Sequence, residues 1–188
     1  MSRTPDFDKE EIIEKAMDVF WNKGYENTSM RDLMDATGLL KGSLYNTFGS
    51  KEKLFLLCLE KYSIYSRGLF YRDGDPKEYL VKFFKRLVDE GVKKDFTKGC
   101  LIMNSCLEFM GKDSLGEKAS DMFAATELNL ANAAKAIAEE DSSLEVDKVK
   151  TNLIAAAFSI REISKFRKDR KFLKQIANNA LRDFDLMI

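Results

Sequence analysis

The chain has 188 residues, of which 45% are apolar and 33% charged, so it can bury a core and wholesale disorder is excluded. Its 31 basic residues balance 31 acidic ones, which excludes bulk positive charge as a basis for nucleic-acid binding. Histidine is absent, which removes the commonest general base and metal ligand, and no catalytic motif replaces it. We therefore expect neither an enzyme nor a metal or cofactor site.

The composition favours helices over strands. Ten Gly and two Pro provide few obligatory turns, and no dense alternation of Val, Ile and Thr marks strands. Cys58, Cys100 and Cys106 form neither an even disulfide framework nor a metal-binding pair. The charged beginning and the lack of any run of 18 apolar residues argue against a leader or a membrane span. The expectation is an all-α, cytoplasmic protein.

Four helices separated by tight turns are predicted in the first third of the chain. Apolar residues recur at three- and four-residue spacing before Gly24, Gly38 and Gly49, which are placed to end helices. Thr28 is a candidate N-cap for the second helix and Ser50 for the fourth. The helices are predicted at residues 7–22, 28–38, 41–48 and 51–68. Two short helices between longer ones are typical of a helix-turn-helix module.

Longer amphipathic helices are predicted in the remainder, with brief breaks between them. They lie at residues 76–95, 99–110, 114–140, 145–168 and 170–186, so that about nine helices are expected in all. No repeat or flexible linker separates them. We expect residues 1–49 to form the helix-turn-helix domain and residues 50–188 a helical body.

The third helix, at residues 41–48, has one side without any large aliphatic group. A rotation of about 100° per residue places Leu44 and Phe48 together as its anchor. The opposite side carries Gly42, Ser43, Tyr45 and Asn46. Asn pairs with adenine, Ser bonds to several bases, Tyr donates to phosphate oxygens, and Gly permits close backbone approach. The pattern fits a helix face that enters a groove of a DNA duplex. The alternative is an ordinary helix face exposed to solvent.

The stretch from residue 28 to 55, TSMRDLMDATGLLKGSLYNTFGSKEKLF, closely resembles the DNA-binding signature of the TetR/AcrR family of bacterial transcription regulators. The likeness also includes Phe20 and the Gly24-Tyr25 turn, and it covers the first third of the chain without a gap. It implies that the second helix crosses the DNA backbone and the third lies in the major groove. The fourth would connect this reader to a ligand-binding and dimerisation body.

The resemblance also implies roles for individual residues. Phosphate contacts are implied for Thr28, Tyr45 and Lys51, and base contacts for Lys41, Ser43 and Asn46. The full set of expected DNA-binding residues is Thr28, Arg31, Lys41, Gly42, Ser43, Tyr45, Asn46, Thr47 and Lys51. For Arg31, an ion pair with Asp35 one helical turn away is an equal alternative.

Two positions depart from the pattern of the family. Leu40 stands where many members have Ser or Thr, so the third helix lacks a hydroxyl N-cap worth about 1 kcal/mol, unless Leu40 contacts a thymine methyl group. Thr47 replaces a longer His or Tyr and is short for reaching the backbone. Both departures bear on the operator sequence rather than on the DNA-binding role.

Residues 1–67 contain ten basic and eleven acidic residues, so the module is nearly neutral. A single copy should bind DNA weakly. Specific affinity then requires a homodimer that places two modules on the half-sites of a pseudo-palindromic operator, about 34 to 36 Å apart or a multiple of that distance.

Apolar faces on the last two helices suggest a four-helix dimer seam, as the resemblance also implies. The expected interface residues are Leu153, Ala156, Ala157, Ile160, Ile163, Phe172, Ile176, Ala180 and Phe184. Ordinary intrachain core explains the same spacing equally well.

Fourteen Phe and eight Met suggest a pocket for an apolar or aromatic small molecule in the body, with core packing as the alternative. The expected lining residues are Phe70, Phe84, Leu87, Met103, Asn104, Leu107, Glu108, Met122, Phe123 and Glu127.

The stretch KGCLIMNSCLEF resembles the start of helix six in a subset of the family, some members of which respond to electrophiles or oxidants through cysteine. Cys100 and Cys106 are six residues apart, about 240° around a helix, and cannot pair within it. Cys100 follows Gly99 at a helix start and is a candidate for a single reactive thiol, whereas buried, inert cysteine is the alternative for both.

These observations predict a homodimeric, ligand-responsive transcription repressor that an apolar or aromatic effector releases from double-stranded operator DNA. The alternatives are a thiol-based sensor of the same fold and a helical interaction protein that does not bind DNA.

Overall fold

The computed structural model describes residues 7–67, Tyr71, 74–110, 114–140 and 144–188. All regular structure in these ranges is helical, with nine α-helices, one short 3-10 helix and no strand, which confirms the all-α class. The helices are α1 (Lys9–Lys23), α2 (Met30–Thr37), α3 (Lys41–Phe48), α4 (Lys51–Arg67), α5 (Pro76–Gly91), α6 (Leu101–Phe109), α7 (Ser114–Ala138), α8 (Val146–Ile163), α9 (Arg170–Leu181) and the 3-10 helix Arg182–Phe184.

Glycines end the first three helices as predicted. Gly24, Gly38 and Gly49 have φ angles of 80°, 75° and 84°, a conformation that only glycine adopts without strain. Ser50 accepts a hydrogen bond from the N–H of Lys53, which confirms it as a cap of α4. The predicted N-cap of α2 was wrong by one residue: Ser29 takes this position and accepts from the N–H of Asp32.

Three helices end four or five residues earlier than predicted: α5, α8 and α9, of which α9 passes into the 3-10 helix. Beyond α5 the backbone tightens, and the N–H of Lys93 bonds to the carbonyl of Glu90. Beyond α8 the N–H of Lys165 bonds to Glu162 and that of Phe166 to Ile163. Such i to i+3 bonds close a last, narrower turn and stop the α-helix.

The chain divides into two compact units, of which the first comprises Met1–Gly68 and Leu101–Met122. In this unit α1 packs against α2 and α4, α3 packs against α2 and α4, and α6 packs against α4. Four rings form its aromatic cluster, with centroids 4.9 to 6.1 Å apart: Phe20, Tyr25, Phe55 and Phe109. The cluster joins the α1–α2 turn to α4 and α6.

The second unit comprises Leu69–Cys100 and Phe123–Ile188. Here α5, α8 and α9 pack on one another, and the second half of α7 contributes Leu130 and Ile137 to the same core. Gly91 lies so close to α8 that an added Cβ would stand 2.3 Å from Oγ of Ser164. By packing, α4 and α6 belong with the helix-turn-helix in the first unit. The boundary expected after residue 49 separates DNA binding from ligand binding rather than packing units, and it stays a prediction.

Candidate nucleic-acid interface

The α3 helix presents a polar face and is anchored by its apolar one. Leu44 and Phe48 are buried, as the helical spacing predicts. The opposite side is open: Gly42, Tyr45 and Asn46 are exposed, and Ser43 and Thr47 are partly so. A Cβ built on Gly42 meets nothing within 4 Å. The face therefore has room for another molecule against the helix backbone.

The beginning of α3 lacks a side-chain cap. Leu40 occupies the N-cap with extended backbone angles, makes no side-chain hydrogen bond there, and is 73% exposed. Lys41 follows, with its Nζ 5.9 Å from the centroid of the Tyr45 ring. An apolar side chain and a cation thus stand together at the end of α3 where its backbone N–H groups point outward.

The α2 helix begins with a reciprocal capping box. The N–H of Ser29 donates to Asp32, and the N–H of Asp32 donates to Oγ of Ser29. The Lys23 ammonium donates to the same carboxylate. This hydrogen bond, with that from the Ser29 backbone, holds the pKa of Asp32 well below its usual value. The pair ties the end of α1 to the start of α2.

Two expected phosphate ligands are turned toward the protein. Thr28 is 1% exposed, and its hydroxyl donates to the carbonyl of Gly24 at 2.6 Å. The Nζ atom of Lys51 donates to the carbonyls of Tyr25 and Thr28 at 2.8 and 2.9 Å and lies 4.1 Å from the centroid of the Tyr25 ring. Both side chains thus hold the α1–α2 turn.

Arg31 has a loose ion pair with Asp35. The closest nitrogen and oxygen atoms are 3.9 Å apart, and both side chains are largely exposed. The pair and a DNA contact are therefore compatible, because little desolvation or order is lost when such a pair opens.

Glu108 was expected in a ligand pocket and lies elsewhere. Its carboxylate accepts hydrogen bonds from the N–H groups of Tyr25 and Glu26 at 3.0 and 2.8 Å. Sequence reasoning missed this contact because the partners are more than eighty residues apart and no local pattern links them.

The other expected pocket residues fall in different surroundings. Phe84 and Leu87 belong to the core of the second unit, and Phe123 stacks on Phe158 at 4.4 Å. Leu107 is 61% exposed. Met103, Asn104 and Met122 are half-buried in the first unit, Glu127 lines a surface groove in the second, and Phe70 lies outside the described residues. The pocket stays a prediction.

The cysteines form no disulfide within the described part of the chain. Cys58 is buried, its Sγ donates to the carbonyl of Ile13, and burial raises its pKa. Cys100 and Cys106 are half-buried. No group of three or more His, Cys, Asp or Glu side chains among the described residues is arranged to hold a metal ion.

Most residues of the predicted dimer face lie in the core of a single chain. The buried ones are Leu153, Ala156, Ala157, Ile160, Ala180 and Phe184. Ile163, Phe172 and Ile176 are half-buried against the same core. In the single chain the six buried side chains are covered by their own α5, α7, α8 and α9, and their part in a dimer interface stays a prediction. The intrachain alternative explains their spacing.

A helix pair at residues 30–48, with a polar outer face on its second helix, defines a helix-turn-helix protein. Residues 12–58, which run from α1 into α4, match the family model of bacterial regulatory proteins of the tetR family. The match assigns the helix-turn-helix part of the chain, residues 12–58, to the tetR family.

The relatives agree with this assignment. The HTH-type transcriptional repressor ComR of Escherichia coli is 34% identical over 105 residues, 53% of this chain and 50% of ComR. A regulator from the lacX 3' region of Lactococcus lactis is 29% identical over 82% of this chain and 79% of its own length. The chain thus spans only about half the length of ComR.

The fold has known neighbours over nearly its whole length. The TetR family transcriptional regulator CifR, a cysteine mutant complexed with 26-base-pair operator DNA, has a TM-score of 0.81 and 26% identity. The match covers 96% of this chain and 98% of CifR. The reduced form of NemR from E. coli shares the fold with a TM-score of 0.69 at 16% identity, over 95% of this chain and 96% of NemR.

The named relatives and neighbours that carry a functional description are transcriptional regulators or repressors. Among the described helices, none has the length and hydropathy needed to cross a membrane.

Proposed function

We propose that the protein is a transcriptional repressor that binds a double-stranded, pseudo-palindromic operator as a homodimer and leaves it when a small apolar or aromatic effector binds. The observation that carries the proposal is the exposed polar face of α3, anchored by buried Leu44 and Phe48 and open above Gly42. The likeness to CifR, whose structure was solved in complex with operator DNA, supports the DNA-binding part.

The recognition chemistry follows from the side chains on this face. Asn46 has the amide group that pairs bidentately with adenine, and Ser43 and Lys41 donate to base acceptors. Tyr45 is 40% exposed and supplies a hydroxyl for a phosphate oxygen. Lys51 has three N–H donors of which two are bound to carbonyls, so at most one is available to a phosphate.

Operator binding is tested by gel shift with the DNA upstream of the protein's own gene. The Asn46→Ala variant should lose about 5- to 160-fold in affinity, because a bidentate contact to a base contributes about 1 to 3 kcal/mol. The Tyr45→Phe variant should lose about 5-fold through one hydrogen bond. Asn132→Ala, which removes an exposed amide from α7, is the matched control. A helical interaction protein would bind no DNA saturably in any of the four forms.

Homodimerisation requires a surface that one chain leaves uncovered. The α7–α8 groove, of about 530 Å³, is lined by Ala124, Glu127, Leu128, Ala131, Lys150, Thr151, Ile154 and Ala155. Leu128 is largely exposed, and the alanines allow close approach of another helix. Glu127 and Lys150 carry opposite charges, so a two-fold arrangement can place Glu127 of one copy on Lys150 of the other. We assign this groove to the second copy.

Sedimentation of Leu128→Glu tests the assignment. The variant should be monomeric, while Ser120→Glu, which adds the same charge at an exposed position of α7, should remain dimeric. A dimer that persists in Leu128→Glu would contradict the assignment, and loss of small-molecule binding in that dimer would make the groove an effector site.

Support for an aromatic effector comes from a row of rings in the second unit. Tyr71, Tyr79, Phe83 and Phe84 follow one another at centroid distances of 5.3 to 5.9 Å. The buried amide of Asn129 donates to the hydroxyl of Tyr79 at 2.5 Å, and burial raises the pKa of Tyr79. Phe83 and Phe84 are buried, whereas Tyr71 and Tyr79 are half-buried, so a small aromatic molecule carrying a single hydrogen-bonding group would bind at the tyrosine end of this row.

A thermal-shift screen of aromatic compounds, followed by operator release, tests the effector. A ligand of this site should stabilise the wild type, release its DNA and act more weakly on Tyr79→Phe. Equal action on both forms would place the effector elsewhere.

A further inference from the structure

The turn between α1 and α2 is gripped by opposite charges from two other helices. Its carbonyl groups at Tyr25 and Thr28 accept from the Lys51 ammonium of α4. Its N–H groups at Tyr25 and Glu26 donate to the Glu108 carboxylate of α6. Anion and cation therefore each bind the side of the peptide group that complements their charge.

The carboxylate of Glu108 fits this turn closely. Its two oxygens accept from successive N–H groups, Oε2 from Tyr25 at 3.0 Å and Oε1 from Glu26 at 2.8 Å. An added Cβ on Gly24 would lie 3.0 and 3.1 Å from the same two oxygens. Successive N–H groups beside a residue of positive φ form a concave site for an anion, and here an internal carboxylate fills it.

The surrounding contacts make the turn a rigid part of the module. The Tyr25 ring lies 5.1 Å from Phe55 and 5.5 Å from Phe109, which is the neighbour of Glu108 on α6. Four residues after the turn, Asp32 ties α2 back to Lys23 at the end of α1. The direction in which the turn leads into α2 therefore depends on contacts from α4 and α6.

We propose that Glu108 is a positioning residue for operator binding. It fixes the backbone of the α1–α2 turn, and through α2 it sets the orientation in which α3 meets the bases. The inference rests on the proposed DNA-binding function and goes beyond it by assigning specificity to a residue outside the helix-turn-helix.

A small rotation is enough to matter for base recognition. Hydrogen bonds to base edges have lengths near 2.9 Å and are lost by about 3.6 Å. Contacts to phosphates from flexible cations tolerate such a displacement much better, because the attraction between charges changes slowly with distance. Loss of Glu108 should thus reduce specific binding far more than non-specific binding.

The test uses Glu108→Gln in the full-length protein, with Glu117→Gln as a matched control that removes an exposed carboxylate from α7 of the same unit. Amide hydrogen exchange at Tyr25 and Glu26, measured without DNA, reports on the two hydrogen bonds from these N–H groups to Glu108. Titrations with operator and with unrelated duplex measure the ratio of specific to non-specific affinity. This ratio is insensitive to the fraction of folded protein, so partial unfolding cannot imitate the result.

We expect exchange at both amides to rise at least 10-fold in Glu108→Gln, and the affinity ratio to fall at least 10-fold, with neither change in the control. Unchanged exchange would show that Glu108 does not hold these two amides. Faster exchange with an unchanged ratio of specific to non-specific affinity would overturn the positioning role. If the wild type itself binds no operator, the proposed function fails together with this inference. If the wild type binds the operator and Glu108→Gln has the same ratio of specific to non-specific affinity, only the positioning role of Glu108 is refuted.

Discussion

Leu40 at the start of α3 offers a test in which stability and DNA binding respond separately. A serine there can accept a hydrogen bond from the N–H of Gly42 or Ser43, which the leucine cannot. Because Leu40 is 73% exposed, its removal forfeits only about 0.5 kcal/mol of apolar burial. Leu40→Ala suffers the same loss without gaining a cap. The Ser variant should therefore exceed the Ala variant by about 1 kcal/mol.

Thermal unfolding measures this difference. For a chain of this length, about 1 kcal/mol corresponds to a rise in Tm of roughly 2 to 4 °C. If Leu40 contacts a thymine methyl group, both variants should also bind the operator less tightly than the wild type, and by the same factor. A Ser variant that melts no higher than the Ala variant would refute the capping argument, whatever the DNA binding shows.

Two further predictions concern glycine positions and one concerns pH. Gly42→Ala should raise the free energy of unfolding by about 0.5 to 1 kcal/mol, because its space is open and alanine favours the helix, yet weaken operator binding by obstructing close approach. Gly91→Ala should lower the free energy of unfolding by about 1 to 3 kcal/mol, since the new Cβ would collide with the side chain of Ser164. Asp32, whose pKa is lowered mainly by Lys23, stabilises the fold above its usual pKa of 3.8, and this contribution is lost as pH falls below it.

Urea unfolding checks all three variants. The two glycine substitutions are controls for each other, since both replace a helical glycine by alanine and should move stability in opposite directions. Asp32→Asn should be less stable than the wild type at pH 7, and the difference should shrink toward pH 3. A difference that stays constant over this range would show that the carboxylate charge is not what stabilises the α1–α2 junction.

Local patterns in the sequence predicted the local features of the site. The buried side of α3 followed from the spacing of Leu44 and Phe48, because a single helical turn decides which side chains share a face. The N-cap of α2 was misplaced because two adjacent hydroxyl residues compete for it. Asp32, three residues after Ser29, is the partner that decides in favour of Ser29.

Features that depend on distant parts of the chain escaped sequence reasoning. Periodicity showed that Leu153 and Ile160 share an apolar face, but the same spacing serves a dimer seam and an intrachain core. The role of Glu108 depends on a turn far away in the chain, and an isolated glutamate in an amphipathic helix gives no signal of such a partner. Sequence spacing describes a surface, whereas the fold determines what covers it.

The Lys51 ammonium is bound to backbone carbonyls of its own chain, and the module has nearly zero net charge. The salt concentration should therefore have little effect on its affinity for DNA. Each phosphate neutralised by a cation releases condensed counterions and contributes about −0.9 to the slope of log affinity against log salt. A DNA-binding protein that contacts few phosphates through lysine should show a shallow slope of log affinity against log salt concentration. Its affinity for the operator would then change little with the cellular potassium concentration, whereas more basic DNA-binding proteins would dissociate.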